Sequence, residues 1–176
     1  MLVRWDEIPE TGLRLNVTDE AWLAGGEIRH TGGVSCFLFL EKVGQRVLLD
    51  GVLAVTVLLE CDRCLTTFRH PVDSRFKIDF ELLPGPEEAQ GADQDHICSS
   101  DEMDTVFLHE PVIDVYSVLR QQLLLALPVK RLCRDDCRGL CPGCGADLNN
   151  EPCVCQGVAA PSPFSVLARL KKERKN

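Results

Sequence analysis

Hydrophobic and polar residues alternate along residues 68–82, and this period of two predicts a long β-strand. The even positions include Phe76, Ile78 and Phe80, whereas most odd positions carry a charged side chain. Such a strand buries one face and exposes the other to water, as in an antiparallel sheet. Segments rich in Val and Leu predict further strands over residues 13–17, 34–41, 46–60 and 105–108.

A period close to 3.6 replaces the period of two over residues 114–127 and predicts an α-helix. Asp114 can cap its first turn, and Pro128 prevents its continuation. Additional leucines widen its apolar face, so this helix should be buried against the sheet. A short final helix is predicted after Ser162-Pro163, and a weaker helical pattern covers residues 19–23.

These elements predict an α+β fold, with an antiparallel β-sheet or partly open barrel, one buried helix, a cysteine-rich zinc-binding segment and a short C-terminal helix. The predicted β domain covers residues 1–130 and contains helix 114–127. An acidic segment rich in Pro and Gly predicts a mobile loop at about residues 83–102 within it. The cysteine-rich zinc segment follows over residues 131–160, and a C-terminal helix with a basic tail over residues 161–176.

Charge is distributed unevenly along the 176 residues, whose net charge is −8. Residues 79–114 contain eleven acidic residues and no Lys or Arg, whereas residues 169–176 contain five basic residues and one acid. An acidic body is poorly suited to broad contact with phosphate backbones, although the basic tail permits a local one. Alternatively, the tail charges only solvate the end of a helix and favour its dipole.

Two features that the sequence lacks bear on the cellular compartment of the protein. There is no apolar run of membrane-spanning length, and residues 1–7 lack the basic, apolar and small-residue order of a signal peptide. We therefore expect a cytoplasmic protein. In a reducing compartment, cysteines more often bind metal than form disulfides. The alternative, a secreted domain stapled by disulfides, is disfavoured by the chain length and the missing leader.

The cysteines are the main candidate chemistry, since six of the ten fall within residues 133–155. Cys141-Pro-Gly-Cys144-Gly is typical of a metal-binding knuckle, in which two thiolates converge on one ion. Cys153 and Cys155 are two residues apart and face the same side of an extended segment. These four cysteines, called the knuckle tetrad below, are the first predicted metal site.

A second metal site is predicted around Cys61-Asp-Arg-Cys64, which lies between the two longest strands. A thioredoxin-type redox motif would open a helix, and no helical pattern follows Cys64, so a metal half-site is favoured over redox chemistry. Its natural partners are Cys133 and Cys137, and these four cysteines are called the hairpin tetrad below. A plain turn with two free thiols, and a single site that draws on Cys137 instead, are the alternatives.

Other reactive residues indicate no catalysis. The four histidines are scattered, and none has a nucleophile or carboxylate at a suggestive spacing. A catalytic zinc keeps an open position, whereas this chain offers a surplus of thiolates, so one or two structural Zn2+ ions are expected. Cys36 and Cys98 lack partner patterns and are interpreted as a core thiol and a loop thiol. We expect neither an enzyme nor a small-molecule substrate.

Four segments together resemble the YceD family. They read LLECDRCLTTF over residues 58–68, LLLALPV over 123–129 after Ile113-Asp-Val, CRGLCPGCGADLN over 137–149, and PFSVLARL over 163–170. The resemblance covers roughly residues 34–170. Some members lack most of the C-terminal cysteines, which favours a stabilising role for them. This chain has Pro161-Ser-Pro163 where many members have Asp-Pro-Arg, so no role of that arginine is transferred.

The resemblance implies a bacterial, non-enzymatic ribosome-biogenesis factor that supports synthesis, processing or accumulation of large-subunit (23S) ribosomal RNA. An adaptor would contact a basic partner, such as a ribosomal or rRNA-processing protein or a pre-ribosomal surface. The alternative is direct binding of pre-ribosomal RNA by the cysteine-rich knuckle and tail. Its candidate residues are Arg131, Arg134, Arg138, Arg169, Lys171, Lys172, Arg174 and Lys175.

Overall fold

The computed structural model describes residues 1–24, 28–83 and 105–155. The predicted C-terminal helix with its basic tail, nearly all of the predicted acidic loop, and Cys98 lie outside these residues. The described chain contains seven strands and one α-helix: β1 (Leu2–Arg4), β2 (Leu13–Val17), β3 (Arg29–Val43), β4 (Arg46–Glu60), β5 (Thr67–Leu82), β6 (Thr105–Leu108), β7 (Val112–Asp114) and α1 (Val115–Ala126). The helical pattern near residue 20 forms only a 3-10 helix, Ala21–Leu23.

Five strands form one sheet in the order β2-β3-β4-β5-β6. Strand β3 pairs antiparallel with both β2 and β4. The ion pairs Arg46–Glu81 (3.2 Å) and Asp50–Lys77 (3.4 Å) show that β4 and β5 also run in opposite directions. The same pairs indicate the register of β4 with β5, because the two residue numbers in each pair add up to 127, as they do for residues directly opposite in one antiparallel register. These four strands form the antiparallel part of the sheet.

Strand β6 corrects the expectation of a purely antiparallel sheet, because it pairs parallel to β5, from Asp79 opposite Thr105 to Leu82 opposite Leu108. A parallel pair needs a crossover connection of about a dozen residues or more, and residues 83–104 are long enough to supply one. The sheet is therefore mixed. Strands β2 and β6 are its two edges, so the described strands do not close into a barrel.

The predicted alternation places the core on one face of this sheet. Along β4 every second residue from Val47 to Leu59 is buried, and β5 buries Phe76, Ile78 and Phe80. Side chains of α1 and of β5, among them Leu125 and Phe76, line a common cavity. The buried face of the helix comprises Val115, Val118, Leu119 and Leu123.

The ends of the helix follow their sequence signals. The Asp114 carboxylate accepts a hydrogen bond from the Tyr116 backbone N–H (3.1 Å), which satisfies a donor that has no partner within the helix. Residues 112–114 also pair with Leu2–Arg4 as a separate two-stranded sheet, β1–β7. Strands of three residues carry too little periodicity to be predicted, and the sequence pattern missed both.

The chain divides into two compact units. The sheet unit comprises Met1–Leu59 and Arg69–Val129, and the cysteine unit comprises Glu60–Phe68 and Lys130–Asn176. The hairpin that links β4 to β5 thus groups with the cysteine-rich segment. The predicted domain boundary after residue 130 stays a prediction. None of the described helices has the length and hydrophobicity to cross a lipid bilayer.

Candidate metal centre

The first turn of the cysteine unit places Cys61 and Cys64 side by side. The Leu65 N–H donates to the Cys61 carbonyl (2.9 Å), and the Cys61 N–H donates to the Thr66 carbonyl (3.0 Å). This closure requires a left-handed residue after Cys64, and Leu65 occupies that position with φ 61°. A leucine is strained in this region, because its Cβ approaches the neighbouring carbonyl.

The second turn repeats this geometry at Cys141 and Cys144. The Gly145 N–H donates to the Cys141 carbonyl (2.9 Å), and the Cys141 N–H donates to the Ala146 carbonyl (2.8 Å). Here the left-handed position belongs to Gly145, with φ 75°, which a glycine adopts without strain. The cysteine unit therefore contains two similar C-x-x-C knuckles, although the residues between their cysteines differ.

The hairpin tetrad brings together thiols that are far apart in the chain. The Sγ atoms of Cys61 and Cys137 are 3.8 Å apart, and those of Cys64 and Cys133 are 3.7 Å apart. All four Sγ atoms lie within 4.8 Å of one another. Cys61, Cys64 and Cys137 are buried, whereas Cys133 is half-buried. The single-site alternative is not what the geometry favours, since Cys137 converges with the hairpin cysteines.

The knuckle tetrad also converges but is far more exposed. Its Sγ atoms likewise lie within 4.8 Å of one another, with 3.2 Å between Cys141 and Cys153 and 3.9 Å between Cys144 and Cys153. Only Cys141 is buried, while the other three thiols are exposed. None of the described cysteines forms a disulfide. Two groups of four cysteines that could hold a metal ion are thus present.

The chemistry and spacing of these donors fit zinc. A tetrahedral zinc with Zn–S bonds of about 2.3 Å separates its sulfurs by about 3.8 Å. Three of the four separations quoted above lie within about 0.1 Å of that value, and the Cys141–Cys153 distance is shorter. Four thiolates complete the coordination of such an ion and leave no open position. The arrangement is that of a closed structural site.

In the hairpin tetrad, the thiols differ in their tendency to ionise. Burial opposes ionisation of Cys61, but backbone hydrogen bonds from Cys133, Cys64 and Arg63 outweigh it and lower its pKa to about 6. The Thr66 hydroxyl and backbone N–H lower the pKa of Cys64. Burial raises the pKa of Cys133 to about 12, with further contributions from Cys64 and Cys137. A bound cation would stabilise the thiolate forms and so displace the remaining protons.

The thiols of the knuckle tetrad likewise differ in pKa. The backbone N–H of Cys144, the Cys153 thiol and the backbone N–H of Gly143 lower the pKa of Cys141 to about 6. Hydrogen bonds with the Cys144 and Cys153 thiols raise the pKa of Cys155 to about 12. The backbone of the knuckle turn therefore favours the thiolate of Cys141, while hydrogen bonds with neighbouring thiols favour the protonated form of Cys155.

Buried cysteines take the place of an apolar core in the cysteine unit. Its one buried cluster consists, among the described residues, of Cys61, Cys64 and Cys137. The half-buried residues packed against it are Phe68, Leu132, Cys133 and Leu140. Such a small cluster cannot offset the ordering of this segment, which costs roughly 1 to 2 kcal/mol per residue. The described part of this unit therefore has little apolar burial to stabilise it.

Arg63 and Asp62 join the hairpin to the segment that supplies the other cysteines. The Arg63 guanidinium donates to the Cys137 carbonyl (2.6 Å), and its own carbonyl accepts from the Leu140 N–H (3.0 Å). The Asp62 carboxylate accepts from the Arg131 N–H (2.7 Å), and the Asp62 N–H donates to the Arg131 carbonyl (2.8 Å). Sequence patterns did not identify these two residues, because their partners are distant in the chain.

Asn149 contacts the hairpin tetrad from the segment between Cys144 and Cys153. Its side-chain N–H donates to the Cys137 Sγ (3.5 Å), and its side-chain oxygen accepts from the Arg138 N–H (2.8 Å). Asp147 in turn accepts hydrogen bonds from the Asn149 backbone and side chain (3.0 and 2.7 Å). Partners of this kind orient metal ligands. The only sequence signal was their place in the CRGLCPGCGADLN segment.

The arginines predicted to contact RNA are placed in part. Arg131, Arg134 and Arg138 are exposed in the cysteine unit. Arg134 forms an exposed ion pair with Asp136 (3.4 Å). The other candidates, Arg169, Lys171, Lys172, Arg174 and Lys175, lie outside the described residues. Their contribution stays a prediction.

Cys36 is a core thiol, as predicted. It is fully buried in β3, and burial, followed by the charge of Asp19, raises the pKa of its thiol to about 12. His30 contacts Glu20 (3.2 Å) and His70 is half-buried. Neither histidine joins a cysteine tetrad, whose members are all cysteines. His96 lies outside the described residues.

A protein-family comparison matches residues 49–171 to the model described as "Large ribosomal RNA subunit accumulation protein YceD". Among curated proteins, an uncharacterised protein of Mycobacterium tuberculosis (strain ATCC 25618 / H37Rv) is 33% identical over 147 residues. That alignment covers 80% of this chain and 59% of the mycobacterial protein. The chain thus spans about three fifths of the length of such relatives.

Two plant relatives carry a descriptive name, "Large ribosomal RNA subunit accumulation protein YCED homolog 1, chloroplastic". The Arabidopsis thaliana protein is 25% identical over 146 residues, covering 73% of this chain and 46% of its own length. The Zea mays protein is 27% identical over 158 residues, covering 76% and 54% respectively. No solved structure matches the chain significantly.

Proposed function

The chain belongs to the YceD family, and from this premise we propose that it is a ribosome-biogenesis factor that supports synthesis, processing or accumulation of large-subunit (23S) ribosomal RNA. It acts in the bacterial cytoplasm as a zinc-stabilised adaptor and catalyses no reaction. The observation that carries the proposal is the pairing of the family match with two closed groups of four cysteine thiols. Such groups suit a scaffold better than a reactive centre.

Zinc is the proposed ion at both tetrads. Cys61, Cys64, Cys133 and Cys137 would hold one ion, and Cys141, Cys144, Cys153 and Cys155 the other. Each bound ion supplies charge neutralisation and the folding energy that the small cluster in this unit lacks, with apparent values of roughly 10 to 16 kcal/mol for structural zinc. The chain's own contribution is to orient the thiols through the two knuckle turns, Arg63 and Asn149.

The adaptor is proposed to contact a basic partner. The net charge is −8, and eleven acidic residues lie within residues 79–114 without a compensating Lys or Arg. A ribosomal protein or an rRNA-processing protein carries the complementary charge, and complementarity accelerates encounter and selects the partner. No membrane and no small-molecule substrate belong to this proposal.

Large-subunit RNA in cells that lack the protein is the decisive measurement. We expect reduced mature 23S RNA or accumulation of its precursors, restored by the wild-type chain and by Cys36→Ser. The double variant Cys61→Ser/Cys64→Ser should fail to restore it, because the hairpin tetrad loses two ligands. Normal levels of large-subunit RNA in the deletion would refute the proposed role.

Metal analysis tests the zinc component separately. Protein purified without chelator should contain two equivalents of zinc, and Cys61→Ser/Cys64→Ser should contain one. Cys36→Ser is the matched control and should retain both, since Cys36 belongs to neither tetrad. Less than one equivalent in the wild type, with disulfides in its place, would contradict the assignment.

Direct RNA binding by the cysteine unit is the second candidate. It is favoured by the exposure of Arg131, Arg134 and Arg138 near the tetrads, and disfavoured by Asp135 and Asp136 between them. Residues 117–163 also contain no aromatic side chain on which a base could stack. A steep salt dependence of binding that is lost on neutralising these arginines or deleting residues 169–176 would favour it over the adaptor.

A further inference from the structure

The solvent face of the sheet unit carries two neighbouring phenylalanines. Phe37 and Phe39 are two residues apart on β3, so both rings lie on the same face of the sheet. Phe37 is 56% exposed. The Phe39 ring is half-buried and lies against Gly12, where any side chain would collide with it. Single exposed hydrophobic residues are ordinary, whereas adjacent aromatic rings on an open sheet face indicate a contact surface.

Polar residues of β2 flank both rings on one side. Asn16 pairs with Phe37, and Arg14 pairs with Phe39. The Arg14 guanidinium lies over the Phe39 ring, 5.7 Å from its centroid. Both polar residues are exposed. Each ring therefore has a hydrogen-bonding side chain directly opposite it on β2.

On the other side of the rings, beyond β4, cations of β5 lie in the same rows. Phe37 pairs with Val52 and Phe39 with Asp50 across β3 and β4. The Asp50–Lys77 and Arg46–Glu81 ion pairs define the register with β5. One row across the sheet is thus Asn16, Phe37, Val52 and Arg75. The next row is Arg14, Phe39, Asp50 and Lys77. These two rows are called the phenylalanine face.

The charge of the phenylalanine face is positive, unlike that of the whole chain. It carries Arg14, Arg75 and Lys77 against one carboxylate, Asp50. The Asp50–Lys77 pair is a surface contact (3.4 Å) whose lysine is 82% exposed, and such pairs contribute little and exchange readily. The adjacent row carries Glu41 and Asp79, which limits the positive surface on that side.

A cavity of about 390 Å³ opens on this face, with Arg14, Asn16, Phe37 and Val52 among its lining residues. Its mixture of an aromatic plane, an amide and a guanidinium matches the groups that bind an unpaired nucleobase. The core of a protein–protein interface is depleted in charged residues, whereas Arg14, Asp50, Arg75 and Lys77 all lie within these two rows.

We propose that the phenylalanine face binds a short stretch of single-stranded RNA. Bases stack on Phe37 and Phe39, phosphates contact Arg14, Arg75 and Lys77, and the Asn16 amide reaches base edges. Stacking of this kind tolerates many sequences, because every base presents an aromatic plane. The face lies within the sheet unit and uses no metal. It gives the proposed adaptor a direct contact with RNA that is separate from the cysteine unit.

Fluorescence anisotropy of fluorescein-labelled decauridine with the zinc-loaded full chain tests this inference. Phe37→Leu keeps apolar area but removes the aromatic plane, and should weaken binding between about fivefold and a hundredfold. Phe37→Trp should bind at least as tightly as the wild type. Phe107→Leu is the matched control, because Phe107 is 47% exposed on β6, outside the face, and should change affinity less than about twofold.

The salt dependence supplies a second readout. Arg75→Gln should reduce the slope of log affinity against log salt by about 0.7, the value for one phosphate contact with a single strand. Undetectable binding at about 50 mM salt, or equal binding by Phe37→Leu and the wild type, would overturn the inference. So would self-association that Phe37→Leu abolishes, since the occupant would then be a second copy of the chain.

Failure of this inference is distinguishable from failure of the proposed function. If decauridine does not bind but deletion of the protein still lowers large-subunit RNA, only the RNA-binding face is refuted. If decauridine binds through Phe37 but large-subunit RNA is normal without the protein, the cellular role is refuted instead. Binding that survives Phe37→Leu but is lost in Arg131→Gln/Arg134→Gln/Arg138→Gln would move the RNA site to the cysteine unit and refute the present assignment.

Discussion

Replacing Gly139 by alanine tests whether the hairpin tetrad depends on a close backbone approach. Gly139 has φ 75°, and a Cβ at this position would lie 2.8 Å from the Arg63 carbonyl oxygen and 3.2 Å from the Arg63 Cβ. The first of these contacts is to backbone, which cannot rotate away. The Arg63 carbonyl also accepts the Leu140 N–H (3.0 Å), so displacement would break that hydrogen bond.

The expected cost combines backbone strain with this lost contact. A left-handed alanine costs about 1 to 2 kcal/mol, partly offset by about 0.5 to 1 kcal/mol because alanine restricts the unfolded chain. Loss of the Leu140 hydrogen bond adds about 0.5 to 1.5 kcal/mol. We expect Gly139→Ala to destabilise the zinc-loaded cysteine unit by about 2 kcal/mol, before any cost of moving Arg63.

Gly145→Ala is a matched control for this prediction. Gly145 has the same φ of 75°, but nothing lies within 4 Å of its added Cβ. It should therefore show only the backbone strain, for a net cost of about 1 kcal/mol or less. The difference between the two alanine variants isolates the contact with Arg63.

Competition for zinc with a chromophoric chelator and urea unfolding of the zinc-loaded protein measure both effects. Gly139→Ala should weaken zinc binding at the hairpin tetrad by about tenfold to a hundredfold, because Arg63 holds the Cys137 carbonyl in place. Equal losses in Gly139→Ala and Gly145→Ala would refute the close-approach argument. Unchanged zinc affinity in Gly139→Ala would refute the link between Arg63 and the site.

Three further predictions concern single residues. The pKa of Cys36 is raised to about 12, so the neutral thiol stabilises the folded state. This contribution to the free energy of unfolding is complete below the unfolded thiol pKa of about 8.5 and is lost as the pH rises towards about 12. Urea unfolding between pH 8 and about 11 should therefore show a decline of up to about 1.4 kcal/mol per pH unit that Cys36→Ala lacks, and identical slopes would contradict it. Leu65→Gly should leave the unfolding free energy of the zinc-loaded protein unchanged or raise it by up to about 1 kcal/mol, because relief of the strain at φ 61° opposes the entropy cost of glycine. A clear loss of stability would show that Leu65 is not strained. Arg120→Ala should destabilise the sheet unit by about 1.5 to 3 kcal/mol in urea unfolding, because its guanidinium donates to the Trp22 carbonyl at 2.8 and 3.1 Å; a loss below about 0.5 kcal/mol would contradict this reading.

Local patterns predicted most of the regular structure. Strands β2, β4 and β6 have the predicted bounds, and α1 begins after the predicted cap Asp114. Strand β3 begins earlier than predicted, at Arg29, because Gly32 and Gly33 interrupt the apolar pattern there. The register of β3 with β4 shifts between Thr31 and Ser35, at these glycines. Sequence periodicity cannot show that an irregular segment continues a strand.

The candidate metal sites could be predicted only in part. C-x-x-C spacing is a local signal, since two thiols three positions apart converge within one turn. The partners of Cys61 and Cys64 are 76 and 69 positions away, and no local rule connects them. Sequence patterns also gave no signal for the roles of Arg63, Asp62 and Asn149. Each of them acts through a backbone group or thiol on another segment.

The sequence by itself determined which residues alternate, where the helix begins and which cysteines form turns, because these features depend on neighbours within a few residues. Only the tertiary structure decided that β6 runs parallel to β5 and that Phe37 and Phe39 share a sheet face with Arg14 of β2 and with cations of β5. Each of these depends on which distant segments meet. That choice is made by packing of the whole chain, since long-range pairing must repay the entropy of closing the loops between its partners.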